Sequence, residues 1–313
     1  MKPIVYLVRE LPGNQFERLA GLVDLRGGAG RPPERAALLE EARDADVLVP
    51  SYIDRVDDAL LAALPRVRLV ASYGVGTNHL DLEACRRRGL AVTNTPGVLT
   101  DATADHAMAL LLAAARRVAE SDRLVRRGGW LGMDPAWMLG TEVTGKTLGV
   151  VGFGRIGQAM ARRARGFDMA VLYTSPREMD FPGARRVPLE ALLREADFVS
   201  LHCPLMPETE NLLSRERIAL LKPGAIVVNT ARGQVLDEAA LAEALASGRI
   251  AAAGLDVFRD EPRIPEALLR LENVVLTPHI GSGTRETRAA MARLVAEEVE
   301  RYARGEAPRN RVV

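Results

Sequence analysis

Three charged residues stand where chemistry on a small acid would need them. Arg232 lies in Ile226-Val-Val-Asn-Thr230-Ala231-Arg232-Gly233, Glu261 in Leu255-Asp256-Val-Phe-Arg-Asp-Glu261-Pro262, and His279 in Val275-Leu-Thr-Pro278-His279-Ile-Gly281. Each follows an apolar run that reads as a β-strand. A guanidinium is a planar fork suited to a carboxylate and the carbonyl beside it. Histidine is the usual proton donor where hydride attack builds charge on an oxygen, and a carboxylate next to it favours the imidazolium. Taken singly, the Arg reads as a surface charge, the Glu as a turn and the His as a loop cap. Together, just past strands of one sheet, they point to hydride chemistry on a 2-keto acid.

The hydride donor is written in a second motif. Thr147-Leu-Gly-Val-Val-Gly152-Phe153-Gly154-Arg155-Ile156-Gly157-Gln-Ala-Met-Ala-Arg is G-x-G-x-x-G between a strand and an Ala-rich helix. Gly152 permits the tight turn, Gly154 lets backbone approach a pyrophosphate, and Gly157 lets helix and strand pack closely. The helix start offers N–H groups and a positive dipole end to the anion. NAD or NADP is therefore expected. The next strand ends Val171-Leu-Tyr-Thr174-Ser175-Pro-Arg177, without the carboxylate that bonds a ribose 2′-hydroxyl. Ser175 and Arg177 suit a 2′-phosphate instead, so NADP(H) is the expected preference, with NAD(H) also accepted.

The elements that position these residues alternate in type. Strands are expected at Ile4–Val8, Asp46–Val49, Arg68–Ser72 and Ala91–Asn94, with helices at Pro33–Arg43, Asp57–Leu64 and Leu82–Arg88; Arg26-Gly-Gly-Ala-Gly-Arg-Pro-Pro33 reads as a loop. A helix apolar almost all round, Asp101 to Arg117, precedes a Gly/Trp-rich stretch (128–140). Six strands follow, at Thr147–Val151, Met169–Tyr173, Phe198–His202, Ala225–Asn229, Ala252–Asp256 and Val274–Thr277, and a last helix spans Arg285 to Arg304. The alternation argues for α/β architecture with two Rossmann-like, doubly wound parallel-sheet domains joined by hinge helices. The first is expected to be discontinuous, residues 1–98 with 284–313, and the second to span 99–283.

Composition narrows the classes. The chain has 313 residues, is 48% hydrophobic and carries a net charge of +1, which suits packed globular domains and gives no basic or membrane-seeking surface. Nucleic-acid and membrane partners are not expected. The Arg86-Arg87-Arg88 and Arg162-Arg163 clusters read as solvated helix faces. Two cysteines, Cys85 and Cys203, form no metal-ligand pattern, so no metal is expected and a reducing, cytoplasmic location fits. Of the remaining histidines, His106 reads as a packed core residue, His202 as a strand end offering a backbone contact, and His79 as part of a polar loop. Trp130 and Trp137 read as interface packing.

At these residues the chain resembles the D-isomer-specific 2-hydroxyacid dehydrogenase family, most closely its glyoxylate/hydroxypyruvate reductase branch. The likeness runs nearly end to end and is carried by Gly74-Val75-Gly76-Thr-Asn, Asn94-Thr-Pro-Gly-Val-Leu-Thr-Asp-Ala-Thr103-Ala-Asp, the Gly152–Gly157 turn, Val228-Asn-Thr-Ala-Arg232-Gly, Gly254-Leu-Asp256-Val-Phe and Thr277-Pro-His279-Ile-Gly281. The resemblance implies that Arg232 binds substrate, that His279 is the acid/base and that Glu261 pairs with it. It implies a cleft between the domains, with the backbone at Val75 and Gly76 and the Ser51 loop toward the substrate. It puts Thr103, Cys203, Pro204, Thr209, Thr230, Ala231, Asp256 and Gly281 along the cofactor. It also implies a homodimer and allows Trp137 to reach a partner subunit's pocket. Glyoxylate or hydroxypyruvate is the expected substrate. Another D-2-hydroxy acid, lactate-like or phosphorylated, is the alternative within the class. A dinucleotide-sensing corepressor is the alternative outside it, disfavoured because the chain has almost no extension beyond its domains.

Overall fold

The structure is a computed structural model describing residues 2–28, 30 and 33–313. The chain divides into two compact units, Met1–Leu99 with Gly283–Val313, and Thr100–Ser282.

In the first unit the order is β1 (Ile4–Leu7), β2 (Asp24–Gly27), α1 (Arg35–Glu41), β3 (Val47–Val49), α2 (Asp58–Ala63), β4 (Leu69–Ala71), α3 (Leu82–Arg87) and β5 (Ala91–Thr93). The five strands form one parallel sheet ordered β2-β1-β3-β4-β5. Val47–Val49 and Leu69–Ala71 are buried throughout, as a sheet covered on both faces requires. Asp57 and Asp81 cap α2 and α3 by accepting from Leu60 N and Ala84 N. The strand β2 departs from the expectation. It is an edge strand with every residue exposed, so it carries no apolar alternation, and it takes Arg26 and Gly27 out of the expected loop; Ala29, Arg31 and Pro32 of that loop lie outside the described residues.

The second unit runs α4 (Thr100–Ala115), α5 (Val118–Arg126), β6 (Thr147–Val151), α6 (Arg155–Ala164), β7 (Ala170–Thr174), β8 (Ala184–Arg186), α7 (Leu189–Glu195), β9 (Phe198–Leu201), α8 (Arg215–Ile218), β10 (Ala225–Asn229), α9 (Glu238–Ala246), β11 (Ile250–Leu255), α10 (Glu266–Leu269) and β12 (Val274–Leu276). Its parallel sheet is ordered β12-β11-β10-β9-β6-β7-β8, seven strands rather than six. The extra one, β8, is again a polar edge strand. The expected helix to Arg117 stops at Ala115 because Arg117 turns left-handed (φ 54°) and starts α5, pairing with Glu120. Helix α4 is buried against α6, β10 and β11. It comes so close to β11 that a Cβ on Gly254 would stand 2.8 Å from Leu110 Cβ.

Register sets the site. Val151 is level with Thr174 and Leu201, Leu201 with Asn229, Asn229 with Leu255, and Leu255 with Leu276. Gly152, Ser175, His202, Thr230, Asp256 and Thr277 therefore leave the sheet at one edge, its carboxyl end, where open α/β sheets take ligands. The strand order reverses between β6 and β9, which marks the crevice. Back in the first unit, α11 (Arg285–Ala303) packs on β4, and the tail pairs with β5 through Val92 N to Val313 O (3.3 Å) and Val312 N to Val92 O (2.7 Å).

Arg86, Arg87, Arg88 and Arg162 face solvent and are paired, Arg86 with Glu83, Arg87 and Arg88 with Asp58, and Arg162 with Asp101; Arg163 departs from the expected solvated face, half-buried with its guanidinium on Asp101 and Asp105 of α4. Among the described residues no helix is long and apolar enough to cross a membrane.

Candidate active site

The glycine turn is dictated by contact. Gly152 has φ +91°, and a Cβ there would lie 2.5 Å from Cys203 N; a Cβ on Gly157 would lie 2.2 Å from Gly152 O. At Gly154 a Cβ would meet nothing within 4 Å, and Gly154 is the N-cap of α6 with no side chain to cap it. The helix thus presents its first N–H groups, Arg155 and Ile156 among them, to open space of the kind a pyrophosphate fills. Phe153 is 1% exposed and stacks on Tyr173 at 4.0 Å, which confines its part in ligand binding to its backbone.

At the end of β7, Thr174 and Ser175 are half-buried and Arg177 is exposed. Arg186 donates to Ser175 O (3.1 Å) and Pro176 O (3.0 Å) and fixes this turn. These residues and the glycine turn fit an anionic dinucleotide. Cys203 is buried, and burial pushes its thiol up to about 11. Thr209 Oγ1 donates to Pro204 O (2.6 Å) and accepts from Met206 N (2.8 Å), shaping the turn after β9. His202 lies near Ser200 Oγ (2.9 Å) and Thr230 Oγ1 (3.5 Å), and burial pushes it down to about 4, which keeps it neutral.

His279, Glu261 and Arg232 form one charge cluster. His279 Nδ1 and Glu261 Oε2 are 2.7 Å apart. Burial raises the Glu261 carboxyl, but hydrogen bonding and charge from His279, the Phe258 N–H on Oε1 (3.0 Å) and the Arg232 charge together hold it below its ordinary range. Glu261 is therefore an anion against the imidazole. Burial draws Arg232 below its ordinary range, and the Glu261 charge opposes that shift. The Arg232 turn is braced by Asn229, which accepts from Ala231 N (3.0 Å) and donates to Arg232 O (2.9 Å). Gly233 sets the spacing, since a Cβ there would lie 2.0 Å from Phe258 C. The Arg232 and Glu261 loops touch backbone to backbone.

Asp256 does more than line a cofactor path. It is 1% exposed and accepts from Thr277 Oγ1 (2.6 Å), Ile280 N (2.8 Å) and Gly281 N (2.7 Å). His279 N donates to Asp256 O (2.8 Å). This clamp holds His279 in the left-handed region at φ 54°, where a non-glycine residue needs its surroundings to fix it. Burial raises the Asp256 carboxyl, and the bonds from His106, Thr277 and Ile280 outweigh that and hold it low. Thr103 and Gly281 meet here as well, since a Cβ on Gly281 would lie 3.0 Å from Asp256 Oδ2 and 3.5 Å from Thr103 Cγ2.

His106 is not packed in an apolar core. It sits at the polar edge of α4, with Nε2 3.0 Å from Thr277 Oγ1 and 3.3 Å from Asp256 Oδ1. The Thr277 proton goes to Asp256, so His106 Nε2 is the donor to Thr277. Sequence reading also missed Glu238, which accepts from Arg259 N (2.7 Å), and Gln234, which donates to Arg259 O (2.7 Å). Both brace the Glu261 loop from α9 and the turn before it, and their only signal was their place after β10.

In the first unit, Val75 is exposed and Gly76 half-buried. Val75 O accepts from Asn94 Nδ2 (2.8 Å), and neither Val75 N nor Gly76 N has a partner among the described residues. Ser51 is buried, its N–H on Asp54 Oδ2 (2.8 Å), and it bridges to Tyr73. His79 Nε2 lies 3.0 Å from Ser72 Oγ. Trp130 and Trp137 are 58% and 41% exposed. Among the described residues no cluster of three or more His, Cys, Asp or Glu could hold a metal ion.

Residues 108–281 match the family model of the D-isomer specific 2-hydroxyacid dehydrogenase, NAD binding domain. The chain is 48% identical over 321 residues to a glyoxylate reductase of Thermococcus litoralis, covering 100% of this chain and 97% of that one. A crystal structure from Thermus thermophilus superposes with a TM-score of 0.94 at 46% identity, covering 99% of this chain and 100% of that one. An NADPH-dependent glyoxylate/hydroxypyruvate reductase of Sinorhizobium meliloti, in complex with NADP and malonate, superposes with a TM-score of 0.90 at 32% identity, covering 100% of this chain and 97% of that one.

Proposed function

The chain belongs to the D-isomer-specific 2-hydroxyacid dehydrogenase family, and from that premise we propose that it is a glyoxylate/hydroxypyruvate reductase in which His279 is the general acid. The observation that carries the reading is the 2.7 Å pair of His279 Nδ1 with an ionised Glu261, beside Arg232. A bound nicotinamide dinucleotide supplies the hydride to the keto carbon. With Nδ1 committed to Glu261, proton transfer to the carbonyl oxygen falls to His279 Nε2, and the Glu261 charge compensates the imidazolium that gives the proton. Arg232 polarises and orients the carbonyl and carboxylate. The N–H groups of Val75 and Gly76 hold the substrate carboxylate. Asp256 keeps the His279 backbone aimed.

For the cofactor we favour NADPH over NADH. The Thr174–Arg177 turn carries no carboxylate, Arg177 is exposed, and Arg186 presents a second guanidinium at the same turn. A homodimer is also part of the proposal. The segment from Val118 to Leu139 exposes Val118, Val125, Trp130, Leu131, Met133 and Leu139, with Leu131 94% and Met133 93% exposed, more apolar side chain than a lone domain ordinarily leaves in water. Steady-state turnover of glyoxylate, hydroxypyruvate and pyruvate with NADPH and with NADH tests the function. Absence of turnover with every pair overturns it. A monomeric mass in sedimentation overturns the dimer.

A further inference from the structure

One guanidinium of the first unit is caged without a counter-ion. Arg288, in the first turns of α11, is half-buried. Its Nη2 donates to Tyr52 Oη (3.0 Å), and its guanidinium carbon lies 5.1 Å from the centre of the Tyr52 ring and 5.9 Å from that of Tyr73. Tyr73 is 3% exposed and donates back to Arg288 O (3.1 Å). Among the described residues no carboxylate lies within 4.0 Å of the group. Two aromatic faces and one hydroxyl hold such a cation in place, but they leave N–H donors of the five-donor fork for an oxygen acceptor. At the far end of α11, by contrast, Arg301 and Arg304 pair with Glu306 and Glu300.

The cage adjoins the backbone that the proposed reading gives to the substrate carboxylate. Tyr52 touches the loop carrying Val75 and Gly76, because a Cβ on Gly74 would lie 2.8 Å from Tyr52 Cβ. Ser51 bridges to Tyr73, and Tyr73 N donates to Pro50 O (2.8 Å), so the two loops are joined backbone to backbone. In a 2-keto acid C3 is two bonds from the carboxylate carbon, within a side chain's length of the N–H groups that hold it. We propose that Arg288 is a specificity residue that donates to an oxygen carried on C3, selecting a 3-hydroxy-2-keto acid over the analogue with a bare methyl or with no C3. This rests on the reading of Val75 and Gly76 as carboxylate binders.

The test is the ratio of kcat/KM for hydroxypyruvate to that for glyoxylate, and to that for pyruvate. Arg288→Met keeps side-chain length against the two rings and removes every donor. It is expected to lower both ratios roughly 10- to 100-fold, as loss of a charge-assisted hydrogen bond to substrate does. Arg288→Lys is expected to lower them less. Ratios within twofold of wild type, or a loss equal for all three acids, overturn the proposal. Where Arg288→Met does not fold, Tyr52→Phe removes only the oxygen that orients the guanidinium, and its ratios are expected to fall several-fold; unchanged ratios there overturn the proposal equally. Wild-type protein inert toward all three acids removes the reductase reading itself, whereas active protein with Arg288-independent selectivity removes only this inference.

Discussion

Gly233→Ala puts the Arg232–Glu261 geometry under the most direct strain. The added Cβ would lie 2.0 Å from Phe258 C, 2.2 Å from Arg259 N and 2.4 Å from Phe258 O. These are backbone atoms, so no rotamer relieves the contact. Ordinary contact begins at 3.4 Å, and the two loops must part by about 1.4 Å. One loop aims Arg232, and the other carries Glu261 and, through it, the His279 ring. A displacement of about 1 Å at such a site costs about 10²-fold in rate, so kcat/KM for the ketoacid is expected to fall at least about 100-fold. Overpacking costs stability as well, about 1–3 kcal/mol, so the assay pairs steady-state kinetics with thermal unfolding. Gly166→Ala is the control, because its Cβ meets nothing within 4 Å. A folded Gly233→Ala protein with kcat/KM within threefold of wild type refutes the reasoning that loop contact sets the site.

At Gly154 the Cβ meets no protein atom, so Gly154→Ala is expected to melt like wild type and to bind reduced dinucleotide at least about 10-fold more weakly, by fluorescence titration; unchanged affinity removes the pyrophosphate from this turn. Ser175→Asp with Arg177→Ala is expected to shift kcat/KM from NADPH toward NADH, and wild type using NADH at least as well as NADPH contradicts the ribose-end assignment. His202 is held near 4 in the fold against 6.5 ordinarily, so on acidification the unfolded chain takes up this proton first. Its contribution is full above about pH 6.5 and is lost as pH falls toward 4, a difference on the order of 1–3 kcal/mol; His202→Asn is expected to flatten the stability profile across that window, and an unaltered profile in denaturant titrations contradicts the assignment.

What the sequence made legible follows from where information is stored locally. Strands buried on both faces, such as Val47–Val49 and Phe198–Leu201, read as apolar runs. The glycine turn reads because three backbone constraints fall within six residues, and Arg232, Glu261 and His279 read because their chemistry stands directly after such runs. Edge strands do not read: Asp24–Gly27 and Ala184–Arg186 bury little and draw their pairing from a neighbour. The supporting bonds do not read either. His106 meets Thr277 across 171 positions and Glu238 meets Arg259 N across 21, distances over which no spacing rule operates. An apolar helix therefore disguises His106 as core, and Asp256 reads as a cofactor contact alone until the N–H groups of Ile280 and Gly281 are seen on its carboxylate.

In the proposed reaction His279, paired with Glu261 at 2.7 Å, gives the proton that completes ketoacid reduction. The measurement that tests it most directly is single-turnover reduction of glyoxylate or hydroxypyruvate by wild type and His279→Ala, with dinucleotide affinity measured on the same samples. The predicted result is a loss of roughly 10²–10⁴ in the rate with cofactor binding nearly intact. Near-normal reduction by the alanine variant, with the same cofactor affinity, contradicts it.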